Sequence, residues 1–252
     1  MNKSLYALPE LYHLAFSWDL TDEIEFYQSI FKQSPFPIKN ILEPACGSGR
    51  YFQILEDAGY NVHGYDVSED MITYANLLIQ QLNLKSCTAE VADMISFKSN
   101  KLYDAALNPV NSFRYLLKDK EIIEHLKNTA DMLRPGAFYI IEFCYAFMDP
   151  ESKYHQKWNI DSPKGIIKAS WEVLDENQKS KISREKSILN FDNQPFEEIH
   201  KTRLWTFKDF QNILKRIPEF ELEGIYDHDF MRIISPDYFG EMGNLYHVLK
   251  KK

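Results

Sequence analysis

Residues 41–50 read Ile-Leu-Glu-Pro-Ala-Cys-Gly-Ser-Gly-Arg and hold two of only nine glycines in the chain. Gly47 and Gly49 free the backbone to bend sharply and leave room for a ligand where a Cβ would otherwise stand. A helical pattern follows, so N–H groups at its start can meet something negatively charged. Glu43, four residues before Gly47, sets a carboxylate beside the bend. Two ligand classes use such a bend: dinucleotides and S-adenosylmethionine. A dinucleotide site wants a third glycine in the pattern GxGxxG, at the slot where Phe52 stands. Glu43 would also serve a pyrophosphate poorly. S-adenosylmethionine instead brings a carboxylate for the N–H groups, an ammonium for Glu43 and no phosphate.

Further polar groups follow at the ends of successive apolar runs. Asp66, 17 residues after Gly49, can accept from both hydroxyls of a ribose. It would do the same for NAD, so it does not discriminate. Asp93 can accept from an adenine amino group, with the Met94 backbone N–H offered to the ring. Met71 can cover the adenine face. Asn108 ends the fourth run, where a transferring methyl group should lie. Arg50 is either a partner for a carboxylate or an ordinary first-turn side chain. The histidines are scattered and no CxxC pair exists, so no metal site is expected.

The elements that must carry these groups alternate through the first 145 residues. Thr21 to Gln33 places Ile24, Tyr27, Ile30 and Phe31 on one helical face. Asn40–Ala45, Val62–Val67, Ser86–Ala92, Tyr103–Leu107 and Ala137–Phe143 read as short strands. Helices are expected over Arg50–Ala58, from the Ser68 cap to Leu82, and over Lys120–Leu133. Arg134-Pro135-Gly136 reads as a helix stop and turn. Five strands separated by helices imply an α/β, doubly wound parallel sheet, with its ligand crevice at the carboxyl ends of the strands. The pattern then changes. Gly165–Leu174, Lys181–Asp192 and Phe196–Trp205 alternate, with turn residues between them, as an antiparallel meander. A helix capped by Thr206 and strands near Phe220–Tyr226 and Leu245–Lys250 close the chain.

Composition narrows the function classes. The 252 residues are 44% hydrophobic and carry a net charge of −8, which argues against a broad nucleic-acid footprint. No apolar run reaches membrane-spanning length. Three dispersed cysteines suit a reduced, cytoplasmic setting.

With these motifs in order, the chain resembles the class I S-adenosylmethionine-dependent methyltransferases. The matching stretches are Leu42 to Arg50, Gly64 to Met71, Ala92-Asp93-Met94, Tyr103 to Asn108 and Leu133 to Gly136. The resemblance implies a Rossmann-like seven-stranded sheet whose last strand is antiparallel. It implies S-adenosylmethionine as cofactor, held by Glu43, Ala45, Gly47, Ser48, Gly49, Arg50, Asp66, Val67, Met71, Asp93, Met94 and Asn108. Within the family the chain is similar to the small-molecule branch of glycine and amino-sugar N-methyltransferases. Tyr12 matches an N-terminal tyrosine that closes over the cofactor, although His13 stands where the branch often has Asp. Asn111 to Leu116 lies where the branch faces the methyl group, with Tyr115 at a slot that some amino-sugar enzymes fill with histidine. The meander matches a substrate lid, giving residues 1–148 and 206–252 as the cofactor domain and 149–205 as the insert.

The expected reaction is in-line transfer of a methyl group to nitrogen or oxygen of a small molecule, which needs alignment and dry surroundings more than covalent help. Tyr115 and Glu142 are the candidate catalytic groups, and Asn111, Trp171 and Arg203 the candidate acceptor contacts, Arg203 being otherwise a partner for the many acids near it. Neither nucleic acid nor membrane is expected as a partner. The competing readings are a nicotinamide-dependent oxidoreductase, which Phe52 opposes, and a non-catalytic S-adenosylmethionine-binding subunit.

Overall fold

The structure, a computed structural model, describes residues 4–145, 155–234 and 244–252. Five parallel strands form its frame: β1 (Asn40–Pro44), β2 (Asn61–Asp66), β3 (Cys87–Val91), β4 (Tyr103–Asn108) and β5 (Leu133–Phe143). β4 is buried at every residue, as a strand covered on both faces must be. Its neighbours show why the sequence folds this way. Ile41, Ala105 and Leu107 pack on one face while Leu42 and Ala106 pack on the other, the period-two alternation of a pleated strand. Helices α1 (Pro9–Ala15), α2 (Thr21–Phe31), α3 (Phe52–Asp57), α4 (Glu69–Gln81) and α5 (Asp119–Asp131) are interspersed with these strands. α2, α3 and α4 cover the first face through Ile24, Leu55 and Ile72; α5 covers the second through Ile122 and Leu126. Ser68 caps α4 by accepting from the Met71 N–H at 3.3 Å.

The chain then leaves the sheet for β6 (His155–Ser162), β7 (Gly165–Asn177), β8 (Ile182–Phe191) and β9 (Gln194–Arg203), a four-stranded antiparallel meander of its own. It returns through α6 (Phe207–Leu214), capped by Thr206, into β10 (Phe220–Tyr226) and β11 (Leu245–Lys251). The seven-stranded order is β10-β11-β5-β4-β1-β2-β3, with β11 antiparallel to both its neighbours. The order reverses at β1, which sets a crevice between the carboxyl ends of β1 and β4.

Three details differ from the sequence reading. The meander has a fourth strand, β6, whose mostly exposed residues give little apolar alternation to read. Arg134-Pro135-Gly136 is not a turn before the fifth strand but a bulge inside it: Tyr103 pairs with Leu133 and Ala105 already with Phe138. Gly136 takes a φ of 89° there, and an added Cβ would lie 2.7 Å from Pro35 Cγ. Third, the helix after the glycine bend begins only at Phe52, because residues 47–51 form successive turns first. The expected boundary between residues 148 and 149 lies outside the described residues.

The amino-terminal segment joins the two sheets. Leu5 and Ala15 pack with Ile167, Ala169 and Leu189 of the meander. The Leu5 N–H donates to Glu198 at 2.9 Å, and the Trp158 indole N–H donates to the Ala15 carbonyl at 2.7 Å.

Candidate functional site

The crevice is built first from backbone. Ala45, Gly47 and Gly49 all take left-handed φ values, of 55°, 54° and 73°. A Cβ on Gly47 would meet nothing within 4 Å, so its bare face opens onto the crevice. Gly49 is bare for a different reason: its Cβ would lie 2.8 Å from the Phe52 ring. The same ring would be 2.6 Å from a Cβ on Gly64 of β2. Phe52 therefore fills the space that both glycines leave, with 1% of its surface exposed. A ring there also takes the slot of the third glycine in a dinucleotide fingerprint.

Around the bend stand ionisable side chains with polar atoms that have no hydrogen-bond partner among the described residues. Glu43 is 1% exposed, and its Oε2 has no hydrogen-bond partner among the described residues. Burial pushes its carboxyl up to about 8, against the pull of nearby Arg50. None of the three Arg50 guanidinium nitrogens has a hydrogen-bond partner among the described residues. The guanidinium lies 3.8 Å above the Trp18 ring instead. A buried carboxylate and a buried guanidinium that are both left unsatisfied cost free energy unless a ligand completes them. Asp66 is tied to the bend, accepting from the Gly47 N–H and the Ser68 N–H, each at 2.9 Å. His13 makes its own connection, between its Nδ1 and the Ser48 hydroxyl at 3.0 Å. Asn108 is fully buried and donates to the Pro44 carbonyl at 2.9 Å, leaving its Oδ1 without a partner among the described residues.

The other expected contacts sit farther along the strand tips. Asp93 is exposed just past β3 and accepts from the Ile95 N–H at 2.8 Å. The Met94 carbonyl accepts from His125 Nδ1 at 2.8 Å, which fixes that loop. Val67 is exposed beside Asp66, whereas Met71 is packed inside with 1% exposure.

Beyond the bend, a cavity of about 920 Å³ separates the strand tips from the meander. Tyr12, Phe16, Tyr51 and Val110 line both it and the space over the bend, so the two meet at these four side chains. Tyr12 is partly buried, and loss of water around it pushes its phenol up to about 12. One wall is acidic. Glu23 accepts from Tyr51 at 3.1 Å and from Tyr27. Glu142 accepts from the Val110 N–H and the Asn244 side chain, and burial, reinforced by Glu23, pushes it up to about 7. Asn111, itself left-handed with φ 59°, donates to Asn244 at 2.6 Å and accepts from the Cys144 N–H at 3.0 Å.

The opposite wall comes partly from the meander. Arg114 is 3% exposed and its Nη2 lies 2.6 Å from Glu185 of β8. Glu185 also accepts from the Trp171 indole at 3.1 Å and from the Thr202 hydroxyl at 2.8 Å. Tyr115 meets Tyr6 and His200 through its hydroxyl. Tyr115, Glu142, Asn111 and Trp171 thus line one cavity. Arg203 does not join them. Its guanidinium pairs with Asp119 at 2.7 Å and donates to the Leu117 carbonyl at 3.1 Å. Alternation along β9 turns Thr202 to the cavity and Arg203 to the far side. The sequence reading missed Glu23, Trp18, Arg114, Glu185 and His200. The alternation of β8 and β9 was visible, but which face of them meets the strand tips was not.

Comparison with known proteins follows the same lines. A family model described as a methyltransferase domain matches residues 41–136. The dTDP-3-amino-3,4,6-trideoxy-alpha-D-glucopyranose N,N-dimethyltransferase of Streptomyces venezuelae is 23% identical over 133 residues, 53% of this chain and 54% of that protein. The chain thus aligns with about half the length of that relative. Among solved structures, an S-adenosylmethionine-dependent methyltransferase of Clostridium acetobutylicum superposes with a TM-score of 0.75 at 16% identity, covering 93% of this chain and 92% of the other. Streptomyces venezuelae DesVI superposes with a TM-score of 0.73 at 16% identity, covering 96% and 95%. These two likenesses speak to the fold.

Proposed function

We propose that this chain, which belongs to the class I S-adenosylmethionine-dependent methyltransferases, methylates an amine nitrogen of a small molecule. The observation that carries the reading is the pair of ionisable side chains with buried, unsatisfied polar atoms at an open left-handed bend, Glu43 and Arg50. In this reading Glu43 holds the cofactor's ammonium, Arg50 its carboxylate, Asp66 its ribose and Asp93 its adenine amino group. Gly47 gives the ligand backbone room to approach. When bound, S-adenosylmethionine supplies a methyl group already activated on a sulfonium. The meander acts as the lid: residues 149–205 form the insert, and 1–148 with 206–252 the cofactor domain.

What the chain's own residues contribute is placement, charge and dryness. Tyr12, Phe16, Tyr51 and Val110 wall the junction of the two spaces and keep water from it. Glu23 and Glu142 make the acceptor cavity acidic, which draws a cationic acceptor and opposes an anionic one. Both oxygens of Glu142 already accept hydrogen bonds, so it orients an ammonium rather than taking a proton from it. An amine is favoured over a hydroxyl because its neutral form attacks without a strong base. The Streptomyces relative is named for dimethylating an amino sugar, which agrees with an amine acceptor here.

Calorimetry with S-adenosylmethionine, S-adenosylhomocysteine and NAD tests the cofactor. A panel of amines, including glycine and a 3-amino-sugar nucleotide, is then assayed for S-adenosylhomocysteine release beside the matching alcohols. Binding of NAD alone would overturn the reading. Cofactor binding with no release from any amine would move the protein to the non-catalytic class.

A further inference from the structure

One question is left open by the acidic wall. An acceptor drawn in as an ammonium must lose a proton before its nitrogen can attack, and Glu142 is held by two donors. On the opposite wall a chain of three side chains runs along the cavity. Tyr6 and Tyr115 join hydroxyl to hydroxyl at 2.6 Å, and Tyr115 joins His200 Nδ1 at 2.9 Å. All three line the acceptor cavity. They come from three separate parts of the chain: the turn Leu5–Ala7, the turn Ser112–Tyr115 and β9 of the lid. The chain of contacts is therefore complete only when the lid and the amino-terminal segment are both in place.

Resting on the methyl-transfer reading above, we infer that His200 is the terminal proton acceptor of the reaction, reached from the acceptor nitrogen through the hydroxyls of Tyr6 and Tyr115. The ammonium N–H donates to the Tyr6 oxygen. As that proton moves across, the hydroxyl proton of Tyr6 passes to the Tyr115 oxygen, and that of Tyr115 passes to His200 Nδ1. The neutral amine and an imidazolium result, and the two phenols are restored. The amine then forms its N–C bond as the S–C bond of the sulfonium breaks. The imidazolium returns its extra proton to solvent. No other reagent is needed.

The methyl transfer that follows draws the relay toward His200, because a ring lowered by burial is a weaker base than an amine. Both phenols lie above their ordinary value through loss of water around the hydroxyls, although Tyr115 keeps 40% of its surface exposed, so neither stores a negative charge at neutral pH and each can relay. Burial lowers His200, which keeps the ring neutral and able to accept. Glu198 and Glu185 oppose that shift. Glu185 sits directly across the strand pair from His200, and Glu198 is one pleat away on the same strand, fixed by the Leu5 N–H. The Tyr6 and Tyr115 rings pack on His200 with centroids 5.9 Å away in each case. Because only neutral His200 accepts, the rate must rise with pH through its pKa and level off above it.

Two measurements decide the matter. Nitrogen NMR of histidine-labelled protein, with His200→Gln for assignment, reads the tautomer directly. The expected state is protonated on Nε2 and bare on Nδ1; a proton on Nδ1 would mean the ring donates to Tyr115, and the relay is overturned. That readout needs no acceptor, so it stands even if no amine in the panel turns over. With an amine that does, His200→Gln and Tyr115→Phe should each lower kcat by about 10²-fold and remove the acid limb of the pH profile, with cofactor affinity by calorimetry unchanged. If instead Glu142→Gln removes that limb while His200→Gln keeps it, His200 is not the acceptor. Loss of cofactor binding in the wild-type chain would sink the methyl-transfer reading itself, a separate failure.

Discussion

Glu43 makes a quantitative prediction about cofactor binding. Its carboxyl is pushed up to about 8 by burial, from an ordinary value of 4.5. At pH 7 it is therefore about 90% protonated before the ligand arrives. A free α-amino group titrates near 7.7–8.0, so the ligand arrives mostly as an ammonium. The ion pair they form holds one proton fewer than the separate partners. After allowing for the small fraction of free amine that must gain a proton, about 0.8 of a proton should be released per cofactor bound at pH 7. Titration calorimetry in two buffers of different ionisation enthalpy measures that release. Glu43→Gln should abolish this share of it and weaken binding. The unliganded protein carries the opposite sign. A carboxyl with a raised folded pKa costs nothing below pH 4.5 and progressively more up to about 8, where the penalty is on the order of 4 kcal/mol. The glutamine variant should thus gain melting temperature over wild type as pH goes from 5 to 9. Equal proton release by wild type and variant would refute the reasoning, because Glu43 would then be ionised already.

The two glycines of the bend should differ in how they share cost between binding and folding. Both replacements incur about 1–2 kcal/mol for a left-handed φ. Gly49→Ala also drives a Cβ to 2.8 Å from the Phe52 ring and should lower the melting temperature further, whereas Gly47→Ala meets nothing within 4 Å, so its larger effect should fall on cofactor affinity. The Arg114–Glu185 pair fastens the lid, and both members are nearly inaccessible. Arg114→Met strands a buried carboxylate and should cost about 3–5 kcal/mol, while Arg114→Met with Glu185→Leu should recover most of it. Denaturant melts read the stability, and amide exchange in β8 and β9 reads whether the lid loosens.

Most of the strands and the place of the bend were legible because each depends on short-range pattern: apolar runs, helix caps and glycines that need left-handed φ. Ser68 and Thr206 are read as caps from type and position alone, and both accept the expected N–H. The lid shows where such reading stops. Thr202 and Arg203 are adjacent, and only knowledge of the facing surface tells which side chain enters the cavity. Of the two roles open to Arg203, acceptor contact or partner for an acid, it takes the second and lies against Asp119. Glu23 is a plain first-turn acid by sequence, yet the fold sets it 8% exposed against Tyr27 and Tyr51. Its position follows from α2 packing on the sheet, which no local pattern encodes.

The single aromatic ring at position 52 has a consequence for how such a chain can change over time. Its edge presses on two positions that carry no side chain, one in the bend and one in the second strand. The Cys46 sulfur presses on the second of these as well, 2.7 Å from where a methyl would begin. No member of this quartet can drift alone. A heavier residue at 49 or 64 demands a smaller one at 52 in the same lineage, and a glycine at 52 opens a hole under the bend. The four should therefore be inherited as a block, and a descendant that took up dinucleotides would have to rebuild all of them together.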